Sequence, residues 1–164
     1  MGRSSAYWAT NLYPDPRQSP KAISPLKDLP AGLASRFKKV REGLLGYEGV
    51  TEHVKFMGPT WRWAWEFTAG HRKLCWLHVT QTGVSVTFTV TTHEEARALK
   101  LPKLSASLLG AIRAGQRTGP VTWCWLEVTD LKTADALLGF SRRKLQWFIE
   151  DAPAPATARR SLAV

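Results

Sequence analysis

Two short runs of the sequence alternate strictly between two kinds of residue. The run VSVTFTV at positions 84–90 has an apolar residue at every second position and a hydroxyl residue at each position between. The run WRWAWEF at positions 61–67 has an aromatic residue at every second position. Because successive side chains of a β-strand point to opposite faces, both runs predict strands of a sheet with one packed face and one open face.

The surrounding patterns predict the other elements of the fold. Four strands are expected between Val54 and Val90, and a fifth is expected from Val121 to Val128. Apolar residues spaced by three and four predict one helix before these strands, two helices between the fourth and the fifth strand, and one helix after them. The order α-ββββ-αα-β-α predicts an α+β fold, in which helices pack on one face of an antiparallel five-stranded sheet.

The two ends of the chain differ in composition from its middle. Residues 1–30 contain half of the prolines, and because proline fixes the backbone and lacks a donor, they are predicted to form an extended arm. Tyr7, Trp8 and Tyr13 are the arm residues expected to pin it to the domain. Residues 31–150 are predicted to form a single domain, and residues 151–164 are predicted to be a disordered tail.

Composition bears on location and partners. No apolar run approaches the length of a membrane span, and the first residues lack the apolar core of a secretory signal, so we expect a cytoplasmic protein with no membrane partner. The net charge of +10 favours nucleic acid as a partner, although the basic residues are scattered along the chain. Cys75 and Cys124 lie in separate apolar runs and are expected to be buried, reduced thiols without a metal.

Several short motifs resemble a known bacterial family, catalogued as domain of unknown function 3788. The matches fall between about residues 54 and 144 and comprise Lys55-Phe56-Met57-Gly58, Trp63, Arg72, Gly83 and Lys144. The resemblance implies the same α+β element order and implies no activity.

Two positions depart from the pattern of that family. Arg62 stands where the family usually has a glycine before the tryptophan, and Thr91-Thr92-His93 stands where a glycine and a lysine are usual. If those positions serve a shared ligand in the family, this chain is expected to bind a different one.

The open face of the predicted sheet collects aromatic and ionisable side chains. Alternation within each strand assigns to this face Lys55, Arg62, Glu66, Trp76, His78, Trp123, Trp125 and Glu127. Alternation assigns Trp61, Trp63 and Trp65 to the core, although Trp63 is kept as a further candidate for ligand binding. Aromatic walls around a few polar groups are typical of a small-molecule pocket. The arm or the last helix is expected to roof it.

The chemistry of this face favours binding of a planar aromatic ligand. Lys55 and Arg62 are expected to meet a polar or anionic group of the ligand, and tryptophan rings are expected to stack on its plane. His78 and Glu66 are the candidates for acid-base catalysis of the hydrolase, isomerase or cyclase type.

Motifs for nucleophilic or nucleotide-dependent chemistry do not occur in the sequence, so no cofactor is expected. Two alternatives remain open. Besides small-molecule binding, the chain is open to interpretation as a nucleic-acid-binding module that stacks bases on its aromatic residues, or as a protein whose tryptophan face forms an interface such as a homodimer.

Overall fold

The computed structural model describes residues 5–152 and has the predicted α+β architecture with an antiparallel sheet. The sheet has six strands in the order β1-β2-β3-β4-β6-β5. The strands are β1 (Val50–Phe56), β2 (Trp63–Ala69), β3 (Arg72–Val79), β4 (Val84–Thr91), β5 (Gln116–Thr118) and β6 (Val121–Glu127). The prediction of five strands missed the short edge strand β5. Its three residues are all exposed and none of them is apolar, so the sequence pattern did not indicate it.

Helices cover mainly one face of the sheet. They are α1 (Ser5–Ala9), α2 (Ser24–Asp28), α3 (Ala31–Leu45), α4 (Thr92–Leu99), α5 (Ala106–Arg113) and α6 (Leu131–Glu150). Phe37 of α3 meets Trp65 of β2 edge-to-face at 5.4 Å between ring centroids, and Phe140 of α6 meets Phe88 of β4 at the same separation. The apolar residues of the alternating strands therefore face α3 and α6, and their burial forms the core.

The buried thiols lie in this core. Cys75 and Cys124 are each 1% exposed and free of any disulfide, as predicted. Burial raises the pKa of both thiols to about 12, so both are protonated at neutral pH.

The N-terminal arm is only partly as predicted. It contains the short helices α1 and α2, so the prediction of an extended segment without helix was wrong. A proline lies in the first turn of α2. Backbone N–H groups in the first turn have no acceptor within the helix, so the lack of an N–H in proline costs nothing there. The predicted disordered tail lies outside the described residues from position 153 onwards.

The arm crosses from one face of the sheet to the other. Trp8 lies on the open face, whereas the carbonyl oxygen of Asp15 accepts a hydrogen bond of 2.8 Å from the indole of Trp63 on the helical face. Between them, the backbone N–H of Leu12 donates to the carbonyl of Val79 at the end of β3. The arm therefore passes around one end of the sheet and contacts both of its faces.

A buried lysine lies where β3 and β4 stop pairing. Paired residues of these strands end at Trp76 and Thr87, although β4 continues to Thr91. Lys144 of α6 is 2% exposed, and its ammonium group donates to the backbone oxygen of Thr89. Burial lowers the pKa of this lysine, and the negative charge of Glu94 acts in the opposite direction. Lys144 thus donates to a backbone oxygen in the part of β4 that is no longer paired with β3.

Candidate functional site

One row of residues crosses the open face of the sheet from β2 to β6. Glu66 lies opposite Trp76, Trp76 lies opposite Thr87, and Thr87 lies opposite Trp125. Because directly paired residues share a face, these side chains point to the same side as His78 and Trp123, each two positions away from a member of the row. Trp76, His78, Trp123 and Trp125 therefore lie on the predicted face of the sheet.

The backbone at Arg62 changes the position of Trp61. Arg62 has a φ of +59°, in the left-handed region that favours glycine. This turn ends the alternation before β2 begins at Trp63, and the ring of Trp61 lies against Trp76 and His78 on the open face. The prediction that Trp61 belongs to the core was therefore wrong.

Arg62 and Trp63 also differ in position from the predicted site. Arg62 lies in the turn rather than on a strand beside Glu66, and its Nε is 3.5 Å from the carbonyl oxygen of Pro59. Trp63 lies on the helical face, where its ring packs against Phe56 at 5.6 Å. The structure brings neither side chain into the row of residues on the open face.

The tryptophans of the open face form a connected cluster, named here the tryptophan cluster. Trp76 and Trp123 stack with their ring centroids 5.4 Å apart, and Trp61 lies 5.8 Å from Trp76 and 6.1 Å from Trp123. Trp8 of α1 extends the cluster, with its ring 6.1 Å from that of Trp61. Offset and edge-to-face pairs at these separations are favourable for aromatic rings.

A groove opens at one end of the tryptophan cluster. It has a volume of about 380 Å³ and is lined by Met57, Pro59, Thr60, Trp61 and Trp123. Trp61 and Trp123 are half-buried, whereas Trp76 behind them is only 6% exposed. Two indole rings therefore present part of their surface to whatever enters this groove.

Glu66 is held as a carboxylate at the edge of the cluster. One of its oxygens accepts from Lys55 at 2.9 Å and from Lys73 at 2.8 Å, and the other accepts from the indole of Trp76 at 3.0 Å. Burial alone would raise the pKa of Glu66, but these hydrogen bonds outweigh it and lower the pKa to about 2. Lys73 is a site residue that sequence reasoning missed, because a β-bulge after Phe67 displaces the register of β3.

His78 is buried against two indole rings. It has no exposed surface, and its ring meets Trp8 at 4.9 Å and Trp61 at 4.8 Å, both edge-to-face. The Nε2 atom is 2.8 Å from the hydroxyl of Thr87, and the Nδ1 atom has no hydrogen-bond partner among the described residues. Burial lowers the pKa of His78 to about 3, so the imidazole is neutral at physiological pH.

The arm, rather than the last helix, covers this part of the face. The hydroxyl of Tyr7 lies 2.7 Å from that of Ser85, and its ring meets Trp125 edge-to-face at 5.6 Å. The expectation that Tyr7 and Trp8 pin the arm to the domain is confirmed. Glu127 lies opposite Ser85 on the same face and is exposed, farther from the groove than Trp123 on the same strand.

The comparisons with known proteins leave function to be inferred from this geometry. Comparison of the chain with protein-family models, with curated proteins and with solved structures gives no match. Within residues 5–152, no group of three or more histidine, cysteine, aspartate or glutamate side chains is arranged to hold a metal ion. Over the same residues, no helix has the length and apolar character needed to span a membrane.

Proposed function

We propose that this domain binds a small, planar aromatic ligand with an anionic group in the groove beside Trp61 and Trp123. The observation that carries the proposal is the exposure of these two rings at the mouth of an otherwise buried cluster. The groove is shallow, but its volume of about 380 Å³ and its mostly apolar lining are within the range of small-molecule sites. A flat ring entering it would bury its faces against indole and against the side chain of Met57.

The charges beside the groove favour an anionic ligand. Lys55 lies two residues before Met57 and therefore points to the same side of the chain. Lys55 and Lys73 share the single negative charge of Glu66, which leaves one positive charge in excess, and both lysine side chains are 46% exposed. A carboxylate on the ligand would be attracted to this excess charge without displacing Glu66.

The titration behaviour of the two predicted catalytic residues favours binding over proton transfer. General acids and bases work best with a pKa near the operating pH. Glu66, with a pKa of about 2, remains ionised at neutral pH, and His78, with a pKa of about 3, remains neutral. Neither group gains or loses a proton easily at neutral pH, so the proposed activity is recognition.

The test is a calorimetric titration of the protein with 2-naphthoate and with its uncharged analogue 2-naphthamide. We expect saturable binding of the acid, weaker binding of the amide, and a loss of affinity of at least tenfold in Trp123→Leu because an aromatic wall is removed. Phe148→Leu is the matched control, since Phe148 is a half-buried ring beside a second groove of about 380 Å³.

Two outcomes would contradict the proposal. The first is binding of 2-naphthoate that Trp123→Leu leaves unchanged. The second is absence of naphthoate binding together with affinity for single-stranded oligothymidylate that falls steeply with salt, which would favour the nucleic-acid alternative.

A further inference from the structure

A second part of the open face contains a buried nitrogen atom without a hydrogen-bond partner. The Nδ1 atom of His78 has no hydrogen-bond partner among the described residues, and the side chain has no exposed surface. A buried polar group without a partner costs free energy and is uncommon in native proteins. The rings of Trp8 and Trp61 both pack against this imidazole, and neither supplies a partner for Nδ1.

The helix that carries Trp8 is short and contacts the sheet through its aromatic side chains. The helix α1 has five residues, too few to be stable on its own. The hydroxyl of Tyr7 lies 2.7 Å from that of Ser85 on β4. Its two aromatic residues also pack ring against ring, on Trp125, His78 and Trp61.

The chain directly after α1 is fixed to the sheet by backbone and side-chain hydrogen bonds. Gln81 donates its backbone N–H to the carbonyl of Thr10 at 2.9 Å, and Leu12 donates to the carbonyl of Val79 at 3.1 Å. Asn11 is 2% exposed, and its amide donates to the carbonyl of Trp61 at 2.7 Å. Residues 10–12 therefore form a fixed point, about which α1 could leave the sheet without disturbing the rest of the arm.

We infer that the indole of Trp8 occupies a ligand position, and that a planar heteroaromatic acid with a ring N–H displaces it and donates that N–H to Nδ1 of His78. The inference rests on the proposed function, because Trp61 is a wall both of the groove and of the space that holds Trp8. In this arrangement Nε2 of His78 carries the proton and donates it to the hydroxyl of Thr87, which leaves Nδ1 as an acceptor. The helix α1 is thus a strap that competes with the ligand.

The strap predicts that weakening α1 strengthens binding. A site that is open only part of the time binds with an affinity reduced by the open fraction. Tyr7→Phe removes the hydroxyl that reaches Ser85 and is expected to tighten binding of indole-3-carboxylate about three- to tenfold. Trp8→Ala removes the competing ring and is expected to tighten binding by about tenfold or more. Tyr13→Phe is the matched control, because its hydroxyl bonds Asp28 elsewhere on the arm.

The hydrogen bond to His78 is tested with a pair of ligands. Benzothiophene-3-carboxylate has sulfur in place of the indole N–H and the same shape. The wild type and Tyr7→Phe are expected to bind indole-3-carboxylate at least fivefold more tightly than the sulfur analogue, because a buried acceptor otherwise remains unpaired. His78→Leu is expected to abolish this preference.

The outcomes separate this inference from the function on which it rests. Binding of 2-naphthoate that depends on Trp123, with unchanged affinities in Tyr7→Phe and no preference for indole over benzothiophene, would overturn the strap and leave the groove as the site. Absence of binding of all three acids to the wild type and to Tyr7→Phe would overturn both. If Trp8→Ala fails to fold, which its near-ultraviolet circular dichroism would report, Tyr7→Phe and its control still decide the result.

Discussion

At the scale of single residues, His78 shows how burial converts a titratable side chain into a neutral one. Its pKa falls to about 3 in the folded protein because the imidazole lies among indole rings without a nearby acid. Its ordinary pKa is 6.5, so the unfolded chain binds a proton between pH 6.5 and pH 3 that the folded chain does not. Protonation of His78 therefore favours the unfolded state progressively as the pH falls below 6.5.

This linkage predicts a variant that resists mild acid. The free energy of unfolding of the wild type, measured by urea titration, is expected to fall between pH 6.5 and pH 5, and His78→Leu is expected to flatten this fall by an amount approaching about 2 kcal/mol. His71→Leu is the control, because His71 is exposed in the turn between β2 and β3. If the free energy of unfolding depended equally on pH in the wild type and in His78→Leu, this histidine would bind protons in the folded chain as readily as in the unfolded chain, which would contradict the prediction.

Glu66 responds to pH in the same direction but over a lower range. Its pKa is lowered from the ordinary value of 4.5 to about 2, so its stabilising effect is complete above pH 4.5 and is lost as the pH falls towards 2. The two residues therefore contribute to acid sensitivity in adjacent ranges, and measurements above pH 5 isolate the contribution of His78.

At the scale of elements, the turn between β1 and β2 determines the position of Trp61. The left-handed backbone of Arg62 is close to the φ that glycine adopts at little cost. We expect Arg62→Gly to be tolerated, with a change in the free energy of unfolding within about 1 kcal/mol, and Arg62→Val to cost about 1–2 kcal/mol.

The tryptophan cluster offers a second measurement on the same two variants. Closely packed indole rings couple in near-ultraviolet circular dichroism, and Trp61 lies within 6.1 Å of three other tryptophan rings. Arg62→Gly is expected to preserve the spectrum, whereas Arg62→Val is expected to alter it by moving Trp61. A valine variant as stable as the wild type, with the same spectrum, would contradict the proposed role of the turn.

The alternation of residues along the strands predicted the face of the sheet correctly for some side chains and wrongly for others. Trp76, His78, Trp123 and Trp125 were assigned to the open face correctly because β6 and the part of β3 after its bulge keep a period of two. Trp61 was assigned to the wrong face because a positive φ at an arginine leaves no trace in the pattern of apolar residues. The helix α1 and the strand β5 were missed because elements of five and three residues are too short to show a period.

At the scale of the whole molecule, the arm joins the two faces of the sheet through one buried side chain. Asn11 donates to the carbonyl of Trp61 at 2.7 Å and accepts from the backbone N–H of Tyr13 at 2.8 Å. It therefore connects the turn that positions Trp61 with the part of the arm that reaches the helical face. The sequence predicted that aromatic residues pin the arm to the domain, but no local pattern indicates that Asn11 holds it on both sides.

This arrangement predicts that Asn11 supports both the fold and the candidate site. Asn11→Ala leaves the carbonyl of Trp61 and the N–H of Tyr13 without partners, and is expected to lower the free energy of unfolding by about 2–3 kcal/mol. Hydrogen exchange of the backbone amides of Leu12 and Gln81, which bond Val79 and Thr10, is expected to accelerate.

Asn11→Asp separates the two hydrogen bonds, since it keeps the acceptor for Tyr13 and loses the donor for Trp61. An intermediate loss of stability is expected, with faster exchange at Leu12 and Gln81 and unchanged exchange at Val86 in the centre of β4. Fast exchange at Val86 as well would mean that the arm and the sheet unfold as one unit. Slow exchange at all of these amides would mean that Asn11 is not the fixed point of the arm, and the strap formed by α1 would then need another hinge.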